Sequence, residues 1–230
     1  MRERSDKLKE ELIPYNRNIK KECLAEYLKG KTIAVFGDSI MWGEGGTPMA
    51  TGDILAEKYG MNLEKYCASG STMGIRTDNP AYTVDEIHHI AKQVRNAIAD
   101  GIKPDFIIFN GGTNDISCNL PLGEMSTVYT QPTTEAYFAD GFETVAWLLT
   151  KNFVDVPIIY MRPHNMSSRT YDGQISYGEL GNKISDKWGI HKVDMYVRMN
   201  TQLEEYRTKY LIDYTHPNRD GYETYYVPAL

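Results

Sequence analysis

The sequence predicts an α/β fold, a parallel sheet of about five strands with helices on both faces. Two observations carry this. Short apolar runs such as Ile33–Phe36 and Asp105–Phe109 have the unbroken hydrophobic character of strands buried on both sides. Between such runs lie segments with apolar residues at helical spacing. Strand and helix therefore alternate, as in a sheet built from right-handed crossovers. At 230 residues the chain suits one well-filled domain, with no internal repeat or low-complexity stretch.

Residues 1–30 are highly charged, with Leu8, Leu12, Ile19, Cys23, Leu24 and Leu28 at roughly helical spacing, and read as a charged helical leader ending at Gly30. The domain proper is expected over 31–230. Its first strand runs from Thr32 to Gly37-Asp38-Ser39, followed by a loop rich in glycine (Gly43, Gly45, Gly46). Thr47 then fits an N-cap, Pro48 the first helical position and Gly60 the residue after the helix. Residues 62–67 form a second strand leading to Ala68-Ser69-Gly70-Ser71-Thr72. Thr83 and Glu86 make a capping box for a helix with Ile87, Ile90, Val94, Ala97 and Ile98, closed by Gly101. The strand at 105–109 runs into Asn110-Gly111-Gly112-Thr113-Asn114-Asp115. Phe138, Phe142, Val145 and Leu149 mark the next helix, and Val156–Tyr160 a fourth strand ending at Arg162-Pro163-His164. Tyr177, Leu180, Ile184 and Trp188 mark a further helix stopped by Gly189. A short strand at 190–193 and a polar helical segment to Tyr210 follow. The chain closes with Asp213-Tyr214-Thr215-His216-Pro217 and a helix from Asn218.

Composition narrows the function. A net charge of -6 argues against nucleic acid or an anionic membrane as partner. No apolar run approaches the ~20 residues of a membrane span. Met1–Lys9 is charged with no apolar stretch behind it, unlike a signal peptide, so the cytoplasm is the default expectation. Cys23, Cys67 and Cys118 are odd in number and lack metal spacing, which indicates neither a disulfide framework nor a metal site. Gly43, Gly45 and Gly46 match no phosphate-binding pattern.

In a parallel sheet the carboxyl ends of the strands open on one edge, so Ser39, Gly70, Asn114 and the Asp213/His216 loop become neighbours. A serine hydroxyl needs a base to act as nucleophile, and His216 can supply it. Asp213, three residues upstream, is placed to accept from its Nδ1–H and leave Nε2 facing the serine. Backbone N–H groups of Ser39 and Gly70 and the Asn114 amide can serve as an oxyanion hole.

Gly37-Asp38-Ser39-Ile40, Ser69-Gly70-Ser71-Thr72, Gly112-Thr113-Asn114-Asp115 and Asp213-Tyr214-Thr215-His216-Pro217 resemble, in order, the four sequence blocks of the SGNH (GDSL-like) hydrolases. The resemblance spans residues 32–228. It implies a flavodoxin-like three-layer α/β/α sandwich and metal-independent, cofactor-free ester hydrolysis through an acyl-serine intermediate. By the same resemblance Ser39 is the nucleophile, His216 the base and Asp213 its orienting acid. Ser39, Gly70 and Asn114 form the oxyanion hole, with Gly74 as the alternative to Gly70.

Other polar residues have competing readings. Trp42 is a candidate substrate wall, and Arg162 with His164 a candidate pocket lining. Asp38 and Asp115 read as loop-holding side chains, His88 and His89 as surface residues and His191 as structural. The expected function is a serine esterase acting on short-chain, acetyl esters of carbohydrate. Polar loops carrying Tyr129, Tyr171 and Tyr177 point that way. Lysophospholipid or thioester substrates are the alternatives within the same chemistry. A non-catalytic glycan-binding or structural module of a larger phage or surface assembly is the alternative outside it. A flavin-binding protein would share the fold but leave the four blocks a coincidence. A homo-oligomer and membership of a larger protein both stay open.

Overall fold

Five stretches become strands: β1 (Thr32–Gly37), β2 (Asn62–Cys67), β3 (Phe106–Phe109), β4 (Ile158–Arg162) and β5 (His191–Asp194), of which β1, β3 and β4 are the apolar ones. The computed structural model describes residues 23–77 and 86–230. All neighbouring strands pair in parallel, in the order β2-β1-β3-β4-β5. Helices fill the connections: α1 (residues 23–28), α2 (Ser39–Trp42), α3 (Thr51–Tyr59), α4 (Ile90–Asp100), α5 (Thr113–Ser117), α6 (Phe138–Asn152), α7 (Tyr171–Lys187), α8 (Met195–Arg198), α9 (Glu204–Tyr210) and α10 (Arg219–Gly221). The last turns, Tyr222–Tyr226 and Val227–Ala229, widen to a π-helix and tighten to a 3₁₀-helix.

Alternation along the strands feeds two cores. Ala34, Phe36, Ile107, Phe109 and Tyr160 point into a layer with α4, α6 and α7. Ile33, Val35, Ile108, Met161 and Val193 point the other way, against α3 and the C-terminal Tyr222 and Tyr226. This is the expected three-layer α/β/α sandwich. Because β1 feeds β2 on one side and β3 lies on the other, the strand order reverses between β1 and β3. Such a reversal is where an open α/β sheet places its site, at the carboxyl edge.

Several boundaries differ from expectation for local physical reasons. Thr47 is not an N-cap: it takes a left-handed conformation (φ 54°) in the glycine-rich loop. Helix α3 starts at Thr51, and the Asp53 carboxylate accepts the Ala50 N–H at 2.9 Å. Thr83, half of the expected capping box, lies outside the described residues, as does the leader before residue 23. Helix α4 begins at Ile90 rather than near Glu86. The segment before Tyr210 is two short helices, α8 and α9, broken at Met199–Leu203. Ser39 itself sits on α2, a four-residue helix that sequence periodicity is too short to reveal.

Candidate active site

β1 ends in a glycine because of its neighbour. A Cβ on Gly37 would lie 1.8 Å from Asn110 Oδ1, and its φ of 146° disfavours any side chain. Asn110, the first residue past β3, locks the following turn. Its Oδ1 accepts the Asp38 N–H at 3.1 Å and its Nδ2 donates to Asp38 Oδ1 at 2.8 Å. Asp38 in turn accepts the Ile40 N–H at 2.9 Å and so caps α2. Burial pushes its carboxyl above the usual range, against the pull of these hydrogen bonds. Ser39 is thereby held in the first turn of α2, 5% exposed.

The Ser39 Oγ lies 2.9 Å from His216 Nε2, and His216 Nδ1 lies 2.8 Å from Asp213 Oδ2. The other Asp213 oxygen accepts the backbone N–H groups of Thr215 and His216, each at 2.7 Å. Burial alone would raise the Asp213 carboxyl. The hydrogen bonds from His216 and the two backbone donors outweigh it and hold the group below the usual carboxylate range. The loop is buttressed by Gly45, where a Cβ would meet the Pro217 carbonyl oxygen at 2.2 Å. The glycine-rich loop is thus a close-contact surface for the His216 segment.

The three donors expected for an oxyanion hole are uncommitted in whole or in part. The Ser39 and Gly70 N–H groups have no acceptor among the described residues. Asn114, in the first turn of α5, spends one amide hydrogen on Ser71 O at 2.9 Å, which leaves the other to donate elsewhere. Gly74 is excluded as the alternative, since its N–H goes to Asp115 Oδ1 at 2.9 Å. Asp115 also accepts the Met73 N–H, so it holds the β2 loop as expected. Burial raises its carboxyl to about 6.

Gln93 was not foreseen. Buried on α4, it accepts the Gly37 N–H at 2.8 Å and donates to Gly37 O, Ser71 Oγ and Ile87 O at 3.0, 2.9 and 2.9 Å. One amide thus ties the end of β1 to the Gly70 loop. A polar residue on the apolar stripe of an otherwise regular helix was its only signal in the sequence. Asn110 was equally legible as the first residue past an apolar strand.

The expected pocket lining holds in part, since both residues border a small cavity but their polar ends are committed inside the protein. Arg162 is 6% exposed and committed to Asp194 at 3.0 Å and to Gln174 O at 3.1 Å. His164 is fully buried, with Nδ1 2.6 Å from the Tyr226 hydroxyl, and burial depresses its pKa to about 3. Arg162 ends β4 and His164 follows it, and both line a cavity of about 20 Å³ beside Gly112 and Thr113 that has room for roughly one water. Trp42 is 37% exposed, with the Lys65 ammonium 5.9 Å from its ring. His89 is not a surface residue: it is fully buried, with Nε2 on Met73 O at 2.9 Å and Glu135 at 3.2 Å. Of the three tyrosines expected in polar loops, Tyr171 and Tyr129 are exposed, the latter edge-on to Trp188, while Tyr177 is partly buried with its hydroxyl on Leu120 O. Among the described residues, no group of three or more His, Cys, Asp or Glu side chains is arranged to hold a metal ion.

Solved structures share this architecture. A Lactobacillus plantarum protein superposes with a TM-score of 0.69 at 23% identity, over 87% of this chain and 93% of that one. The lipase/acylhydrolase from Enterococcus faecalis gives 0.55 at 15% identity over 84% and 90%. Est24, a carbohydrate acetylesterase from Sinorhizobium meliloti, gives 0.57 at 16% identity over 81% and 90%. No curated protein matches the chain in sequence. Residues 35–224, which run from β1 through the His216 loop, match the model of the GDSL-like lipase/acylhydrolase family. A match of that extent, over the same loops that surround Ser39, means that the chain belongs to this family and is a carboxylic ester hydrolase.

Proposed function

We propose that Ser39, His216 and Asp213 act as a catalytic triad on short-chain acyl esters, with acetyl groups on carbohydrate as the substrate class. The observation that carries this reading is the unbroken chain of hydrogen bonds from Ser39 Oγ through His216 to Asp213, at 2.9 and 2.8 Å. Ser39 Oγ attacks the acyl carbonyl carbon while its proton passes to His216 Nε2. Asp213 holds Nδ1–H and stabilises the imidazolium. The negative charge that develops on the carbonyl oxygen is received by the Ser39 and Gly70 N–H groups and the Asn114 amide. Collapse expels the sugar alkoxide, which takes the proton back from His216 and leaves an acyl-serine. Water, deprotonated by His216, then attacks the same carbon, and Ser39 leaves with the returned proton as the acid is released.

The substrate class rests on the rim. Glu44 and Ser69, hydrogen-bonded to each other, and Ser168 are exposed polar groups near the three donors and the His216 loop. Tyr214, between Asp213 and His216, is also exposed. Polar groups beside an aromatic face suit a sugar better than a long acyl chain. The fold likeness to Est24, named a carbohydrate acetylesterase, is consistent with that class. The test is hydrolysis of 4-nitrophenyl esters of increasing acyl length, with acetate release from acetylated xylan, mannan and peptidoglycan fragments, in wild type and Ser39→Ala. Acetate release lost in Ser39→Ala is the expected result. Equal rates in the two proteins would sink the triad, and a preference for acyl chains of about eight carbons or more would sink the acetyl reading.

A further inference from the structure

Arg169 stands where the Asn114 and His216 segments meet. Its Nε donates to the carbonyl oxygen of Thr113, the residue before Asn114, at 2.9 Å. Ser168, beside it, bonds Thr215 Oγ1 at 2.5 Å and Tyr214 O at 3.3 Å, both within the loop from Asp213 to His216. Arg169 Nη1 turns back onto Ser168 O and Oγ at 3.0 and 3.1 Å. The guanidinium is therefore fixed by two of its three nitrogens, while Nη2 donates to no protein atom among the described residues.

Its charge is also unmatched. Arg95, Arg162 and Arg219 each pair with a carboxylate. Among the described residues Arg169, like Arg198 and Arg207, has no carboxylate at ion-pair distance, although the chain carries 31 of them against 25 Lys and Arg. Asp213 and Asp38 act on it only from farther away, and burial pulls its pKa down. A half-buried guanidinium is costly to desolvate, and that cost is recovered when an anion meets the free edge. Because Nε and Nη1 already fix its plane, little side-chain entropy remains to be lost on binding.

We propose that Arg169 is a specificity residue that holds an anionic group, carboxylate or phosphate, on the sugar that bears the acetyl ester. The inference rests on the acetylated-carbohydrate reading. An acetyl group has no position for a second charge, so the anion belongs to the alcohol side of the ester. A purely structural brace would use the same bonds to Thr113 and Ser168 but would be indifferent to substrate charge.

The measurement is acetate release from three O-acetylated sugars: methyl glucoside, methyl glucuronoside and methyl glucoside 6-phosphate. The readout is the ratio of kcat/KM for each charged sugar to that for the neutral one. A ratio is unaffected by partial misfolding of a variant. Wild type should favour at least one charged sugar by about 10-fold or more. Arg169→Gln should bring the ratio to about 1 through KM, and Arg169→Lys should retain part of it. The inference is overturned if wild type shows no preference for either charged sugar, or if the ratio in Arg169→Gln equals that in wild type. Release from the neutral sugar with an unmoved ratio removes this inference alone. Failure to release acetate from all three sugars, with Ser39-dependent cleavage of 4-nitrophenyl esters intact, removes the carbohydrate reading and this inference together.

Discussion

Asn114 is the residue at which the oxyanion reading is most exposed to test. Its side chain keeps one amide hydrogen on Ser71 O and offers the other, so truncation removes a donor with little effect on the core. Asn114→Ala should lower kcat about 10²–10³-fold while the urea midpoint barely moves. A loss of less than 3-fold would remove Asn114 from the oxyanion hole. Asp213→Asn keeps the shape but replaces an acceptor of the Nδ1–H with an amide that can favour the wrong tautomer, and should cost about 10³–10⁴ in kcat. Retained wild-type rates in that variant would mean that His216 is oriented by something other than Asp213. The residues proposed as a triad were legible because each lies in a short polar motif at a strand end or in a terminal loop. Arg162 and His164 carried the same positional signal, yet they fold inward onto Asp194 and Tyr226. A strand-end position says where the backbone emerges but leaves the rotamer undecided.

Two glycines let the elements around the serine approach one another closely. Gly37 faces Asn110 Oδ1, and Gly45 faces the Pro217 carbonyl. Gly37→Ala should therefore destabilise the fold by about 2 kcal/mol or more, through both the clash and the φ of 146°. Gly45→Ala acts differently, since the exposed loop can yield by shifting the Pro217 and His216 backbone. Expected is at least a ~10-fold loss of kcat with a melting temperature lowered by only a few degrees. A variant that melts far lower but keeps its specific activity would show that the glycine-rich loop supports stability alone. The short helix α2 and the N-terminus of α3 escaped the sequence reading for one reason. Both are set by tertiary partners, Asn110 and Tyr222 for the first and the left-handed turn at Thr47 for the second. Local propensity at Thr47-Pro48 favours a helix start that the loop's contact with Pro217 overrides.

Across the molecule, two buried groups on opposite sides of the charge balance shape stability against pH. Asp115 has its folded pKa raised to about 6 from 3.8, so its contribution is full below pH 3.8 and is lost as pH rises through 6. His164 has its folded pKa lowered to about 3 from 6.5, so its contribution is present above pH 6.5 and is lost as pH falls through 3. Between about pH 4 and 6 the two slopes oppose each other. Asp115→Asn removes the falling limb at the cost of one acceptor for the Met73 and Gly74 N–H groups. Relative to wild type, the variant should therefore gain on the order of 3 kcal/mol between pH 4 and pH 6.5, on top of a constant loss of about 1 kcal/mol. Urea midpoints measured across that range test this, and parallel profiles for the two proteins would contradict it.

The alternation of apolar runs and helical stripes was sufficient to specify a parallel sheet, because strand burial and helix amphipathicity are written in local periodicity. The four polar motifs were equally readable, because parallel strands deliver their carboxyl ends to one edge whatever their order. Other features depended on contacts between distant segments. Gln93 meets Gly37 across 56 positions, Asn110 meets Asp38 across 72, and Ser39 meets His216 across 177. Arg169 likewise reaches its place between Thr113 and the His216 loop only when β3, β4 and the C-terminal segment pack together. Such placements have no local signature, since hydrogen-bond geometry depends on where the backbone of another element has already been fixed.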